Sequence, residues 1–219
     1  MRTLRFALAA VALVAGTAFA SPTDPKNGVD YTTLSAPQPV PAGKKVEVIE
    51  FFMYHCPACN AIEPMINQWV EKQGDNIVLK RVHLPYSGPT DPEAHLYLTL
   101  EAMGLLDEMH HKVFRAMHVE RKRLTSDEAI IDWVSKNGVD RAKFLEAWNS
   151  FGVMTKLRRL NTVVDNYKVN STPTIVIDGK YVVSPSMVAK ANGIKDANQL
   201  FQATTQVMDA LVAKAAKSK

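Results

Sequence analysis

The chain has 219 residues, 47% of them hydrophobic and 22% charged, with a formal net charge of +4. That balance is ordinary for a soluble globular protein and allows one medium domain, or a domain carrying a sizeable insertion. The charge falls to +2 without Arg2 and Arg5, too small a surplus for a nucleic-acid footprint. The runs Arg121-Lys122-Arg123 and Arg158-Arg159 are accordingly read as solvated helix ends or faces.

The first twenty residues read as a secretory signal peptide. Arg2 and Arg5 precede an uncharged apolar run from Phe6 to Val14, and Ala18-Phe19-Ala20 is a small-x-small cleavage site before Ser21-Pro22. The apolar run is short for a membrane span of ~20 residues. The mature protein is therefore expected to be soluble in an oxidising compartment. Residues 21–44 are rich in Pro, Gly and Asp and read as an extended arm, with one short strand near Tyr31 to Leu34.

Lys45 to Phe52 is β-branched and aromatic and reads as a central strand. The helical spacing of Ile62, Met65, Ile66, Trp69 and Val70 predicts a helix from Cys56 to near Gly74, kinked at Pro64. Ile77 to Leu84 is a second strand, and strand–helix–strand order implies a parallel, right-handed crossover.

From Tyr86 to about Gly152 only helical patterns occur. Thr90-Asp91-Pro92 starts a helix that ends at Gly104, and Leu105, Met109, Val113 and Met117 mark another. Thr125 and Glu128 form a capping box before Ile130, Ile131 and Val134, with Gly138 as the stop. Asp140 caps a helix through Phe144, Leu145 and Trp148, and Leu157, Leu160, Val164 and Tyr167 lie on a long helix. Thr174 to Ile177 and Lys180 to Val183 are strands joined by the turn Asp178-Gly179. A terminal amphipathic helix runs from Asp196 to about Lys214, followed by a lysine-rich tail expected to fray. The predicted class is α/β: a thioredoxin-like fold with an inserted all-helical domain, residues 21–85 and 153–219 forming the sheet domain and 86–152 the insertion.

The chain holds two cysteines, spaced as Cys56-Pro57-Ala58-Cys59. A structural disulfide works by closing a long loop in the unfolded chain, and this loop is very short. Two thiolates fall short of the four ligands of a closed zinc site. Asn60 in place of His excludes covalent haem attachment. A redox-active pair remains. Cys56 stands where free N–H groups and the helix dipole favour an anion, and the thiolate is both the attacking and the leaving species. A thiol pKa lowered from ~8.5 to ~5 stabilises the reduced form at pH 7 by about 2.7 kcal/mol, or about 60 mV for a two-electron couple. Cys59, one turn further in, reads as the resolving thiol.

The run Val48 to Cys59, the later run Val169-Asn170-Ser171-Thr172-Pro173-Thr174 and the turn Asp178-Gly179-Lys180-Tyr181 resemble the active site, cis-proline loop and hairpin of the DsbA family, the periplasmic dithiol oxidases. The resemblance covers essentially the whole mature chain. It implies Cys56 as nucleophile, Cys59 as partner, Pro173 as a cis proline beside the sulfurs, and a Thr172 backbone that hydrogen-bonds an extended substrate peptide. His55, Pro57 and Ala58 join Thr172 as candidate substrate contacts. It further implies clients among unfolded or newly exported proteins, and a membrane-bound partner that reoxidises the pair. No cofactor or metal is expected beyond the Cys56–Cys59 disulfide, and a monomer is the default. Family members commonly carry His where Ala58 stands, so Cys56 is expected to be less acidic and the protein less oxidising than those members, with His55 a candidate compensator.

Glu50, an acid in an apolar strand, reads as a buried carboxylate near Cys59 that relays protons, paired with Lys80 or Arg81. Met53 and Tyr54 either offer apolar surface to clients or pack inside. His83, His95, His110, His111 and His118 lack a metal-ligand pattern and read as packing or surface residues. Two other functions use the same thiols: a reductase or isomerase, and a copper or zinc carrier. Isomerases of this kind usually carry a dimerisation domain, for which the segment before Val46 is too short. The carrier lacks a third cysteine or a Met-rich loop near the site.

Overall fold

Strand β2 (Val46–Phe52) is buried along its whole length, as a strand is only when both its faces are covered. The computed structural model, which describes residues 22–219, shows how; the expected signal peptide lies outside the described residues. The strand pairs in parallel with β3 (Ile77–His83), from Val46 opposite Ile77 to Phe52 opposite His83. Its other edge pairs antiparallel with β4 (Thr174–Ile177). Adding β5 (Tyr181–Val183) and the short β1 (Thr32–Thr33) gives a five-stranded sheet in the order β1-β5-β4-β2-β3. The crossover between β2 and β3 is helix α1 (Pro57–Gln73), which runs through Pro64.

Two layers sandwich the sheet. Helix α1 and the terminal helix α8 (Ala197–Ala216) bury Ile62, Ile66, Trp69, Val207 and Leu211 against Val46, Val48, Ile175 and Ile177. They are tied by Asp209, which accepts from Trp69 Nε1 at 2.8 Å and Gln73 Nε2 at 2.6 Å. The opposite face, with Ile49, Phe51 and Val176, is covered by Val164 and Tyr167 at the end of α6 (Phe151–Asn166).

Between β3 and β4 stand α2 (Pro92–Ala102), α3 (Leu106–His118), α4 (Asp127–Lys136), α5 (Arg141–Trp148) and α6. Helix α2 is buried from Glu93 to Thr99 and on to Leu100, so it is the central rod of this helical unit. The unit's core also takes in Phe52, Tyr54, Cys56 and Cys59. The thioredoxin-like sheet and its helical insertion thus meet at the cysteines.

Local differences from the sequence reading have plain causes. The cap of α4 is Ser126, one residue after the expected Thr125: Ser126 is extended and its hydroxyl accepts from the Ala129 N–H at 3.3 Å. A short helix, α7 (Pro185–Asn192), was not expected, although Ser184 caps it, Pro185 opens it and Gly193 ends it in the left-handed region. The tail does not fray at Lys214. Helix α8 continues to Ala216, Lys214 Nζ bonds the Tyr31 hydroxyl at 2.7 Å, and Lys219 Nζ lies 3.1 Å from Asp178.

The β4–β5 turn has positive φ at both central residues, 54° at Asp178 and 62° at Gly179, the geometry that matches strand twist in a two-residue hairpin. A Cβ on Gly179 would stand 2.3 Å from the Gln38 carbonyl oxygen, and Gln38 N in turn bonds Gly179 O at 2.8 Å. Gly179→Ala is therefore expected to cost about 2 kcal/mol or more. Urea denaturation should show a lower midpoint with an unchanged slope; an unchanged midpoint would disprove the close approach.

Candidate active site

Strand β2 ends at Phe52, and the chain turns so that Cys56 N–H donates to Met53 O at 3.2 Å. Cys56 caps α1: its sulfur accepts from Cys59 N–H at 3.3 Å, and Pro57 takes the first helical position, where no N–H is needed. Both cysteines are free thiols. Cys56 retains 8% exposure and Cys59 none, while Pro57 and Ala58 between them are exposed.

The two sulfurs have opposite acidities. A hydrogen bond from the Cys59 thiol is the largest influence on Cys56. It is opposed by burial and aided by Thr172 and the backbone N–H groups of Cys59 and Ala58, and the pKa falls to about 5. The proton shared toward Cys56, together with burial, pushes Cys59 far above the usual thiol range. The first helical turn supplies the donors, as the sequence predicts, but the strongest single donor is the second thiol. With Ala58 in place of His, no side chain from position 58 assists.

Thr172 and Pro173 reach the cysteines from the loop before β4. The Thr172–Pro173 bond is cis, and Cys56 Sγ donates to Thr172 O at 3.5 Å. The Thr172 hydroxyl is buried without a partner in regular geometry, and the side chain favours the ionised form of both sulfurs.

Glu50 is 1% exposed, and burial raises its pKa to about 7 against the opposing charge of Arg81. Its partner is Arg81, directly opposite in β3, with Nε 2.9 Å from Oε2. Lys80 instead bonds Glu47. Arg81 continues to Glu63 Oε1 at 3.0 Å and Asn67 Oδ1 at 2.8 Å. The hydrogen bonds of Glu50 run to this network and not to a sulfur.

His55 makes its hydrogen bonds to Glu93 and not to a sulfur. Its Nδ1 lies 2.7 Å from Glu93 Oε2, its side chain is 36% exposed, and its ring meets exposed Tyr86 edge-on. Tyr54 is fully buried, so the reading of Tyr54 as client-facing surface gives way to packing: it sits among Phe52, Phe114 and two imidazoles. Met53 is half-buried.

Sequence reasoning missed the convergence of His83, His110, His118 and Glu93 on this turn. His83 Nε2 accepts from Tyr54 N–H at 3.1 Å, His110 Nδ1 bonds the Tyr54 hydroxyl at 2.9 Å, and His118 Nε2 donates to Tyr54 O at 2.7 Å. One trace existed: His110 and His118 are eight apart, two turns along one helix face. His95 instead stacks on Trp148, and His111 is exposed.

The DSBA-like thioredoxin domain model matches residues 47–202. The thiol:disulfide interchange protein DsbA of Burkholderia cepacia is 38% identical over 207 residues, covering 94% of this chain and 92% of the relative. That of Bordetella parapertussis is 38% identical over 195 residues, covering 88% and 93%. The crystal structure of Pseudomonas aeruginosa DsbA superposes with a TM-score of 0.73 at 34% identity, covering 88% of this chain and 96% of that one. A reactive thiol at a helix tip, its buried partner and these matches together place the chain in the DSBA-like thioredoxin domain family, as a protein thiol–disulfide oxidoreductase.

Proposed function

We propose that this protein introduces disulfide bonds into newly exported proteins through its Cys-Pro-Ala-Cys site. The observation that carries this is the asymmetry of the two sulfurs: one at the helix tip with a pKa of about 5, the other fully buried and far above the thiol range. A client thiolate attacks Cys56 Sγ of the oxidised pair. The bond to Cys59 breaks, and Cys59 takes up a proton as its high pKa demands. A second client thiolate then attacks the client sulfur of the mixed disulfide and expels Cys56 as a stable thiolate. The client loses two electrons, and the pair gains them.

In this reading Pro173 and Thr172 line the place where the client backbone lies, with exposed Pro57 and Ala58 and half-buried His55 at its rim. Glu50, half-protonated near neutrality, is the proton store for Cys59. A membrane-bound partner reoxidises the pair, and the site of action is the periplasm. Among the described residues no helix is long and apolar enough to cross a membrane.

The test is equilibration of the dithiol with glutathione, together with a thiolate absorbance titration of Cys56. An oxidase with a Cys56 pKa near 5 should sit at a potential well above that of a protein reductase. A strongly reducing potential would replace this reading by the reductase one, and a Cys56 pKa near the ordinary thiol value would remove its basis.

A further inference from the structure

The turn that presents Cys56 is held by side chains from outside the sheet. Because Cys56 N–H closes on Met53 O, Tyr54 and His55 are the two central residues of that turn. Every polar group of Tyr54 is bonded to an imidazole: its N–H to His83, its carbonyl to His118 and its hydroxyl to His110. His55 is held through two of its groups, for Glu93 Oε2 takes both its ring Nδ1 at 2.7 Å and its backbone N–H at 3.2 Å. Glu93 belongs to α2, His110 and His118 to α3, and His83 ends β3. The helical insertion thus holds both central residues of the redox turn.

The hydrogen-bond directions fix the imidazole forms. His83 accepts on a bare Nε2, so its proton is on Nδ1. His118 donates from Nε2. Burial holds the pKa of His110 down, and its neutral ring can accept the tyrosine hydroxyl on Nδ1 while turning Nε2 toward Glu63 Oε1, 3.5 Å away. Burying Tyr54, His83, Glu93 and His110 around one turn costs more than an apolar plug of the same shape, so the arrangement calls for a role beyond filling space. What depends on the turn is the placement of one sulfur. The contact from Cys59 N–H to Cys56 Sγ is 3.3 Å, and such contacts weaken steeply with angle and distance.

We propose that Tyr54, held by His83, His110 and His118, and His55, held by Glu93, form a positioning cluster through which the helical insertion keeps the Cys56 thiol aligned with the N-terminus of α1. The proposal rests on Cys56 being the nucleophile. It makes Tyr54 and its imidazoles positioning residues, since none of their hydrogen bonds reaches a sulfur.

The test compares Tyr54→Phe, His118→Leu and His118→Gln in the full mature chain by Cys56 thiolate titration and glutathione equilibrium. Tyr54→Phe and His118→Leu should raise the Cys56 pKa by about one unit, and so lower the equilibrium constant for oxidising glutathione roughly tenfold. His118→Gln, which keeps an N–H donor, should return most of that loss. Lower melting temperatures with unchanged titration and equilibrium would show a merely structural cluster and overturn the proposal. Should His118→Leu fail to fold, Tyr54→Phe, which removes a single oxygen, decides the matter alone. A wild-type chain whose Cys56 shows no acidic titration would instead overturn the nucleophile reading, and this proposal with it.

Discussion

Cys56→Ser is expected to slow dithiol–disulfide exchange by roughly 10³-fold or more, while Cys59→Ser should still let the Cys56 thiolate attack a client disulfide and should stop at the mixed disulfide. The two outcomes differ because the two sulfurs do. Only Cys56 combines a route to solvent with donors that hold a thiolate; Cys59 has no exposure and lies in the core shared with the insertion. A serine hydroxyl at position 56 is neither ionised near neutrality nor able to leave, so attack and expulsion both fail. Serine at 59 removes the group that would release a trapped client. Non-reducing gels of the Cys59→Ser chain with a client that carries a disulfide should show a covalent adduct, formed as the Cys56 thiolate attacks one client sulfur and expels the other as a thiolate, and mass spectrometry should place it on Cys56. The absence of an adduct on Cys56, or normal client oxidation by Cys56→Ser, would sink the assignment. The thiolate also sets the thermodynamic drive. With a pKa of about 5, stabilisation of the reduced pair at pH 7 raises the potential by at most about 60 mV, since solvent at the thiol screens part of it. The sign is that of a depressed acid: the gain is complete above the ordinary thiol pKa and disappears as pH falls through about 5. Alkylation of Cys56 should accordingly be nearly as fast at pH 6 as at pH 8.

The sheet, the crossover helix and the insertion were legible because each rests on local pattern. The β-branched run into Phe52, the helical stripe from Ile62 to Val70 and the Asp178-Gly179 turn each dictate their own geometry over a few residues. Helix α7 carried the same kind of marks at Ser184, Pro185 and Gly193, but its length of eight residues left too little periodicity to register. The cysteine pair was legible for a chemical reason, since three-residue spacing on a helix allows one sulfur at the tip and one beneath it. The polar surroundings were not. Whether Lys80 or Arg81 meets Glu50 depends on strand register, a pairing between segments about thirty residues apart. The imidazoles around Tyr54 come from three places in the chain, and a histidine in sequence carries no mark of whether it will accept, donate or stack. Ala58 shows the converse: its effect was legible as a missing donor, yet the Cys59 thiol, which does most to lower the Cys56 pKa, was read only as a resolving group.

Arg81→Met is expected to destabilise the folded chain by about 3–5 kcal/mol at pH 8, the usual loss when one partner of a buried ion pair is removed. For a chain of this size that corresponds to a melting temperature lower by about 10 °C. Arg81 is hydrogen-bonded to two buried carboxylates, Glu50 at 2.9 Å and Glu63 at 3.0 Å, whose side chains are 1% and 9% exposed. Methionine fills much of the space but leaves both acids without that charge. The loss must depend on pH, and its direction follows from Glu50. Burial raises this carboxyl from 4.5 to about 7 even with Arg81 beside it. Between those values the folded state binds more protons than the unfolded one, so stability falls as pH rises through the window and the penalty is complete above about 7. Without Arg81 the Glu50 pKa moves higher still. Glu63, which Arg81 and His110 hold below its ordinary value against burial, moves up as well. At pH 5 both acids can then meet the loss by taking up protons, and the variant should melt much closer to wild type than at pH 8. Adding Glu50→Gln to Arg81→Met should recover a large part of the deficit at pH 8 and little at pH 5, because Glu63 keeps its contact with His110. Thermal unfolding of the three chains at both pH values checks this. An equal loss at pH 5 and pH 8 would mean that Arg81 serves by packing alone, and that Glu50 is not the titrating acid on which the proposed proton transfer to Cys59 depends.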